Sequence, residues 1–278
     1  MSSPIPIVDD KRRAFRRLHE QGCFAIPNPW DLGSALALQS LGFPALATTS
    51  SGFAWSQGRA DGAMSRDQVL EHLRTLVAAT RVPVNADFES GYATTAAGVA
   101  ASVRLAIDTG VAGLSIEDAS GVAGEPLYPL DVAVERLRAA RQAIDRAGAD
   151  VLLVGRSEGF IRGRPDLEET IRRLCAYANA GADCLYAPGI RTRDEIATVV
   201  EAVAPKPVNV LIGGASEFSV SDLAALGVRR ISVGGALARA AWTGFLTAAR
   251  RIAAEGRFDA LGLAMPHAEL DALFSDKP

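Results

Sequence analysis

The sequence holds 278 residues, of which 49% are hydrophobic and 22% charged, with a net charge of −3. Such a balance belongs to a globular chain, excludes intrinsic disorder, and offers no basic footprint for nucleic acid or an anionic membrane surface. The length suits a single α/β barrel, which typically takes about 250 residues.

The N-terminal run MSSPIPIVDDKRR lacks the apolar core of a signal peptide, and no apolar stretch reaches membrane-span length, so a cytoplasmic location is expected. Cys23, Cys175 and Cys184 stand at unrelated spacings and form neither a disulfide framework nor a zinc pattern. Residues 9–20 form a short amphipathic helix with Phe15 and Leu18 on an otherwise basic face. A strand–turn–helix unit then recurs about every 30 residues. Strands are predicted near 23–26, 44–48, 83–87, 112–116, 151–155, 183–186, 207–211 and 229–233. Helices are predicted near 31–41, 66–79, 95–109, 130–147, 166–180, 192–203, 219–226 and 235–254. Asp31, Ser65, Asp166 and Thr192 are the expected N-caps, and Gly42, Gly110, Gly148, Gly181 and Gly227 the expected stops. This alternation is the sequence form of a closed (β/α)8 TIM-type barrel. An open doubly wound sheet would carry a glycine fingerprint after its first strand, where this chain has Pro27-Asn28-Pro29-Trp30-Asp31.

The expected organisation is a barrel over 1–255 and a helical extension over 256–278. In the extension Phe258, Leu261, Leu263, Met265, Leu270, Leu273 and Phe274 recur at helical spacing. A closed barrel has no use for that apolar face. It is expected to pack on a neighbouring subunit, giving a homodimer or homotetramer.

In a barrel, chemistry sits at the C-terminal ends of the strands. The third strand, Val84-Asn85-Ala86-Asp87-Phe88-Glu89, alternates so that Asn85, Asp87 and Glu89 share one face. The second ends in Thr48-Thr49-Ser50-Ser51-Gly52 and a loop reaching Asp61. The fourth turns Ser115 and Glu117 inward, the fifth ends in Arg156-Ser157-Glu158, the sixth in Tyr186, and the seventh carries inward Asn209. Asp118 alternates away from Glu117 and is read as a turn cap. Adjacent carboxylates repel unless a cation lies between them, and hard cations such as Mg²⁺ prefer oxygen ligands.

Absences narrow the chemistry. Lys11 and Lys277 lie near the termini and Lys206 on the far side of the seventh strand, so Schiff-base and pyridoxal chemistry are excluded. His19, His72 and His267 fall in predicted helices, away from strand ends, which argues against a His-ligated zinc or a Ser-His triad. Carboxylates, one arginine, hydroxyls and backbone amides remain. That kit suits a divalent cation holding an oxygen-rich anion.

The combination Asn28-Pro29-Trp30-Asp31, Thr48-Thr49-Ser50-Ser51-Gly52, Asp87-Phe88-Glu89-Ser90-Gly91-Tyr92, Ser115-Ile116-Glu117-Asp118 and Asn209 resembles the isocitrate lyase/phosphoenolpyruvate mutase superfamily. The likeness runs in order over roughly residues 15–250. It implies an α/β barrel, Mg²⁺ (or Mn²⁺), and cleavage or formation of C–C or P–C bonds beside a 2-oxo or 2-hydroxy carboxylate. Carried over by position, Asp87 would contact the metal, with Asp61, Glu89 and Glu117 holding its waters. Ser51, Gly52 and Phe53 would present backbone donors to the substrate, and Arg156 would pair with its carboxylate or phosphonate. Tyr186 and Asn209 complete the expected substrate-binding set, and Arg156, Asp61 and Glu117 the expected catalytic set. The family also exchanges a C-terminal helix between subunits, which would suit the extension.

One departure bears on the reaction. Family lyases carry a lid after the fourth strand with an acid/base Cys in a Lys-Lys-Cys-Gly-His signature, and mutases and phosphonopyruvate hydrolases place a Lys there. Here the segment is Ala119-Ser120-Gly121-Val122-Ala123-Gly124-Glu125-Pro126-Leu127-Tyr128. The expectation is therefore a lyase or decarboxylase acting on a small 2-oxo or 2-hydroxy (di)carboxylic acid through a metal-stabilised enolate. The alternatives are a phosphoenolpyruvate mutase-like or carboxyphosphonoenolpyruvate phosphonomutase-like P–C bond enzyme, or a non-catalytic oxo-acid binding barrel. Gly213-Gly214 and Gly234-Gly235 stand where barrels often bind phosphate, but no basic residue accompanies either pair in the sequence.

Overall fold

Short β-branched and aliphatic runs, each too apolar on its outer face to stay in water, pair side by side in the computed structural model, which describes residues 6–275. The strands β1 (Phe24–Ile26), β2 (Leu46–Ala47), β3 (Val84–Asp87), β4 (Gly113–Glu117), β7 (Leu152–Arg156), β8 (Cys184–Tyr186), β9 (Val208–Leu211) and β10 (Arg230–Ser232) form one sheet. Its order is β1-β10-β9-β8-β7-β4-β3-β2, with the paired strands parallel. The two ends meet where Ala47 N donates to Pro27 O at 3.0 Å, which closes the barrel. The remaining strands, β5 (Ala119–Val122) and β6 (Glu125–Leu127), make a separate antiparallel hairpin directly after β4.

Helices α2 (Leu32–Ser40), α4 (Arg66–Ala79), α5 (Ala96–Ile107), α6 (Leu130–Arg146), α7 (Leu167–Asn179), α8 (Arg193–Val203) and α9 (Val220–Ala225) follow the strands. Asp31, Ser65, Asp166 and Thr192 each accept the expected backbone hydrogen bond as N-caps. Outward Val84, Ala86, Leu114, Leu153, Val208 and Ile231 join inward-facing helix residues such as Leu73, Val103, Leu137 and Val199 in one continuous core. A second core fills the lower barrel, where Phe15 of α1 (Val8–Leu18) packs against Phe24, Ile26, Ala112 and Leu152. Lys11 and Arg12 on the same helix are buried and donate to the carbonyls of Val77, Thr80, Ile107 and Val111. Helix α1 is thus a plug, and its buried cations satisfy carbonyls in and just beyond the ends of α4 and α5.

Two regions differ from the sequence expectation. The eighth helix, α10 (Ala236–Glu255), does not lie down on its own barrel: Ala238 is its one buried residue, and Trp242 and Phe245 are 37% and 60% exposed. Helix α11 (His267–Phe274) folds back against α2 of the same chain, and Leu263 before it is 94% exposed. Exposed apolar side chains therefore occur both on α10, at Leu237, Trp242 and Phe245, and along the extension, at Phe258, Leu261, Leu263, Met265, Leu270 and Phe274. The last three residues of the predicted extension lie outside the described part of the chain.

Candidate active site

The C-terminal strand ends converge on Arg156. Its Nη1 lies 3.1 Å from Asp87 Oδ1 and 3.3 Å from Glu117 Oε2, and its Nε donates to Glu158 Oε1 at 2.5 Å. Arg162 approaches the same group from outside, 3.3 Å from Glu158 Oε2 and 3.6 Å from Glu117 Oε1. Two guanidinium groups thus serve three carboxylates, one of them, Glu158, fully buried. Burial pushes the Glu117 carboxyl above its usual range, Arg156 opposes that, and Glu158 and Asp87 add to it. The Arg156 guanidinium also lies over the Tyr186 ring, 5.1 Å from its centroid.

Asp87 is aimed by β2. Its backbone N donates to Thr48 Oγ1 at 2.9 Å, and its Oδ2 accepts from Ser50 N at 3.0 Å. Ser50 opens a short helix that periodicity did not reveal, α3 (Ser50–Ser56), capped by Thr49. Gly52 is required there, because a Cβ would lie 2.7 Å from Thr49 Cγ2 and 2.8 Å from Trp30 Cβ. The helix alters the expected role of this stretch. Phe53 N is committed to Thr49 O at 3.0 Å, and its buried ring stacks on His72 at 3.9 Å. Of the three residues expected to hold substrate, Ser51 lines the cavity, while Gly52 and Phe53 build the helix behind it.

That cavity, of about 150 Å³, is lined by Thr48, Ser51, Asp61, Asp87, Arg156 and Tyr186, with Arg230 on its floor. Asn209 is fully buried beside Arg230 and Ser232 and does not line it. Glu117 also lies outside the lining, behind Arg156. Glu89 is turned away by the loop after β3: it takes a left-handed φ of 45°, and its Oε1 accepts from Tyr92 Oη at 2.7 Å. The buried Arg136 of α6 fixes that turn by donating to the carbonyls of Ser90, Ala93 and Thr94. Asp118 is no turn cap. It is 2% exposed and accepts from Glu158 N at 2.8 Å, Tyr177 Oη at 2.6 Å and Arg173 Nη1 at 3.1 Å.

A larger neighbouring cavity of about 890 Å³ opens beyond Leu211, lined by Gly213, Gly214, Arg191, Arg193 and Arg239. Arg239 donates to Gly213 O. Basic residues therefore do accompany this glycine pair, delivered from α8's N-terminus and from α10, far away in sequence.

The segment 119–128 is the β5–β6 hairpin. Ser120 Oγ donates to Glu125 O and accepts from Val122 N at 2.9 Å, so its hydroxyl is spent within the hairpin. The Tyr128 ring lies under the Arg136 guanidinium at 4.2 Å. None of these residues lines the 150 Å³ cavity.

Among the described residues no three His, Cys, Asp or Glu side chains form a ready-made metal cage. Of the four expected acids, Asp61 and Asp87 line the cavity, and Glu89 and Glu117 do not. The donors that do face the cavity, the Asp87 and Asp61 carboxylates with Ser and Thr hydroxyls, are hard oxygens. They fit a Mg²⁺ that keeps several waters and binds the protein through one or two carboxylates.

A family model for phosphoenolpyruvate phosphomutase matches residues 15–253. The chain belongs to the phosphoenolpyruvate mutase/isocitrate lyase superfamily. Within it, a solved structure of a candidate lyase/mutase from Burkholderia cenocepacia J2315 is 48% identical, covers 97% of this chain and 98% of that one, and superposes with a TM-score of 0.93. A 2,3-dimethylmalate lyase is 26% identical, with a TM-score of 0.84 over 98% of this chain and 96% of the other. The oxaloacetate decarboxylase of Chromohalobacter salexigens is 30% identical over 83% of this chain and 81% of its own. Superfamily membership makes the protein an enzyme of the lyase/mutase class.

Proposed function

We propose that this superfamily member is a Mg²⁺-dependent decarboxylase or lyase of small 2-oxo or 2-hydroxy dicarboxylates, with oxaloacetate as the first substrate to test. The observation that carries the reading is the small polar cavity in which Asp87 and Arg156 meet at 3.1 Å, beside a hairpin whose hydroxyl is already spent. Residues Asp87 and Asp61 would hold the cation. A bound Mg²⁺ supplies electrophilic polarisation of the 2-oxo and carboxylate oxygens.

The chain's own groups do the rest. Arg156 pairs with Asp87, Glu117 and Glu158 and holds them at fixed separations, which preorganises the site electrostatically. Ser51, Thr48 and Tyr186 provide hydroxyls around the cavity. Loss as CO₂ of a carboxylate β to the oxo group, as in oxaloacetate, leaves the bonding electrons in an enolate and needs no protein acid at the bond-breaking step, since solvent protonates that enolate later. Retro-aldol cleavage of isocitrate needs an acid for the departing carbanion. Phosphonopyruvate chemistry needs a cation over the phosphoryl group. The hairpin here carries neither a Cys nor a Lys.

The test is a substrate panel with Mg²⁺. Oxaloacetate loss should exceed the free-metal background, vanish in Asp87→Ala and weaken in Arg156→Ala, while isocitrate, methylisocitrate and phosphonopyruvate stay intact. Robust isocitrate cleavage overturns the reading of the hairpin. Oxaloacetate loss no faster than with free Mg²⁺ favours a binding protein instead.

A further inference from the structure

Two arginines share the small cavity, and their surroundings are opposite. Arg156 meets three carboxylates. Arg230, the first residue of β10, meets none among the described residues. It is 3% exposed, donates through Nε to Asn209 Oδ1 at 2.8 Å, and reaches Asn85 Oδ1 with Nη1 at 3.4 Å. A guanidinium carries five N–H donors and never loses its charge, so two neutral amide oxygens neither neutralise it nor use all its donors.

The surrounding side chains hold it in place rather than compensate it. Asn209 is fixed by donating Nδ2 to Ser232 Oγ at 2.9 Å, and Asn85 by donating Nδ2 to Ala86 O at 3.2 Å. Asn85 stands two residues before Asp87 on the same face of β3, which sets Arg230 one layer beneath the carboxylate end of the site. The titratable neighbours are Cys184, Tyr186 and His19; burial raises the pKa of the first two and lowers that of the histidine, so none supplies a counter-charge. A buried cation without a partner is among the least favourable arrangements in a protein interior. An apolar residue of similar volume would pack there at less cost unless a counter-ion arrives from outside.

We infer that Arg230 is a second anion-recognition point, on the floor of the cavity, for a small carboxylate-type anion. Resting on the function proposed above, that anion is the second carboxylate of the substrate, which then stands along the barrel axis with one end at Asp87 and the other directed into the barrel. Arg156, already saturated by acidic partners, positions the upper end. Dicarboxylates are thereby selected over monocarboxylates by a residue below the site and independent of the hairpin.

The experiment is thermal denaturation and calorimetry on the full chain, with chelator present, using malonate, pyruvate, formate and bicarbonate as probes. Wild type, Arg230→Met and Arg230→Lys are compared. Malonate should raise the wild-type Tm, bind at least tenfold more weakly to Arg230→Met, and recover in part with Arg230→Lys. Pyruvate affinity should change by less than a factor of three. An Arg230-dependent response to malonate alone assigns the site to the substrate's own carboxylate. An equal Arg230-dependent response to formate or bicarbonate assigns it to a free anion of the same chemistry. Malonate binding unchanged in Arg230→Met overturns the inference. So does a wild-type Tm indifferent to all four anions, a result that stands even if the variants fail to fold. Neither metal nor turnover enters the measurement, so failure of the proposed decarboxylation leaves it intact, and its own failure leaves decarboxylation untouched.

Discussion

Arg156 Nη1 lies 3.1 Å from Asp87 Oδ1. In water so exposed a pair would contribute little, but both side chains are only about one-sixth exposed, 15% and 16%, where screening is weak. A divalent cation reaching Asp87 must share that carboxylate with the guanidinium. Metal binding and the arginine's position are therefore coupled.

The first expectation concerns the metal. Mg²⁺ or Mn²⁺ should raise the Tm in the presence of oxaloacetate or a stable analogue, and chelator should reverse it. At a hundredfold excess over Kd the stabilisation is about 2.7 kcal/mol. Asp87→Ala should abolish the response in differential scanning fluorimetry. An unchanged Tm with and without chelator, at saturating ligand, would count against a cation at this site.

Removing the arginine should cost more than removing a surface charge. Arg156→Ala leaves the buried carboxylates of Glu158 and Glu117 with the half-exposed Arg162 as their remaining ion-pair partner, and breaking a buried pair on one side typically costs about 3–5 kcal/mol. Urea unfolding should show that loss at neutral pH. The double variant Arg156→Ala/Glu158→Gln should recover part of it. A single variant within 1 kcal/mol of wild type, taken as roughly the scale of a surface pair, would contradict the burial argument.

Acid should act through two histidines outside the cavity lining. Burial lowers His72 to about 4 and His19 to about 3. A depressed histidine is neutral in the fold but takes up a proton once unfolded, so the unfolded chain binds more protons below its pKa of 6.5. Stability from this source is complete above pH 6.5 and falls as pH drops toward 4, by up to about 1.4 kcal/mol per pH unit per group. Replacing His72 with Phe, which keeps the stack on Phe53, should flatten part of that slope in pH-dependent unfolding. A slope unaltered by the replacement would remove His72 from the account.

Assembly should follow α10. Trp242 and Phe245 meet edge to face at 5.6 Å on a helix with a single buried residue. Exposed aromatics clustered in this way mark a surface that another chain covers. Light scattering should give a homodimer or larger at micromolar concentration, and Trp242→Glu with Phe245→Glu should shift it to monomer. A wild-type monomer at that concentration would refute the expectation.

Strand and helix alternation made the barrel readable, because outward positions such as Val84 and Ala86 repeat with period two while Leu70, Leu73 and Leu76 of α4 follow the helical period. Asp87, Arg156, Ser51 and Tyr186 were legible as cavity residues for the same reason, each sitting at or just beyond a strand end, whereas Asp61 lies on the loop after α3 and took its expected role from the family resemblance. Other features were not. Helix α3 is too short for periodicity, and its signal was the cap Thr49 followed by Gly52. Glu89 obeys the alternation in sequence, but the left-handed turn at residue 89 breaks it in space. Arg230 and Arg239 reach their partners across more than 20 residues or from another helix, and no local pattern encodes that. Asp118 looked peripheral by alternation, yet its partners Arg173 and Tyr177 come from α7.

The pairing of Phe24 with Arg230 has a consequence for the chain as it leaves the ribosome. The first strand made must wait for the last one, with almost the whole sequence between them, before its open edge is covered. Until then β1 and the most recently made strand offer unpaired backbone donors and acceptors at opposite margins of a growing sheet, a state prone to joining the wrong neighbour. Contacts of such long separation also slow closure. Chaperone demand during synthesis should therefore fall on nascent chains that end before residue 230, and a stop codon placed there should yield aggregates rather than a shortened barrel.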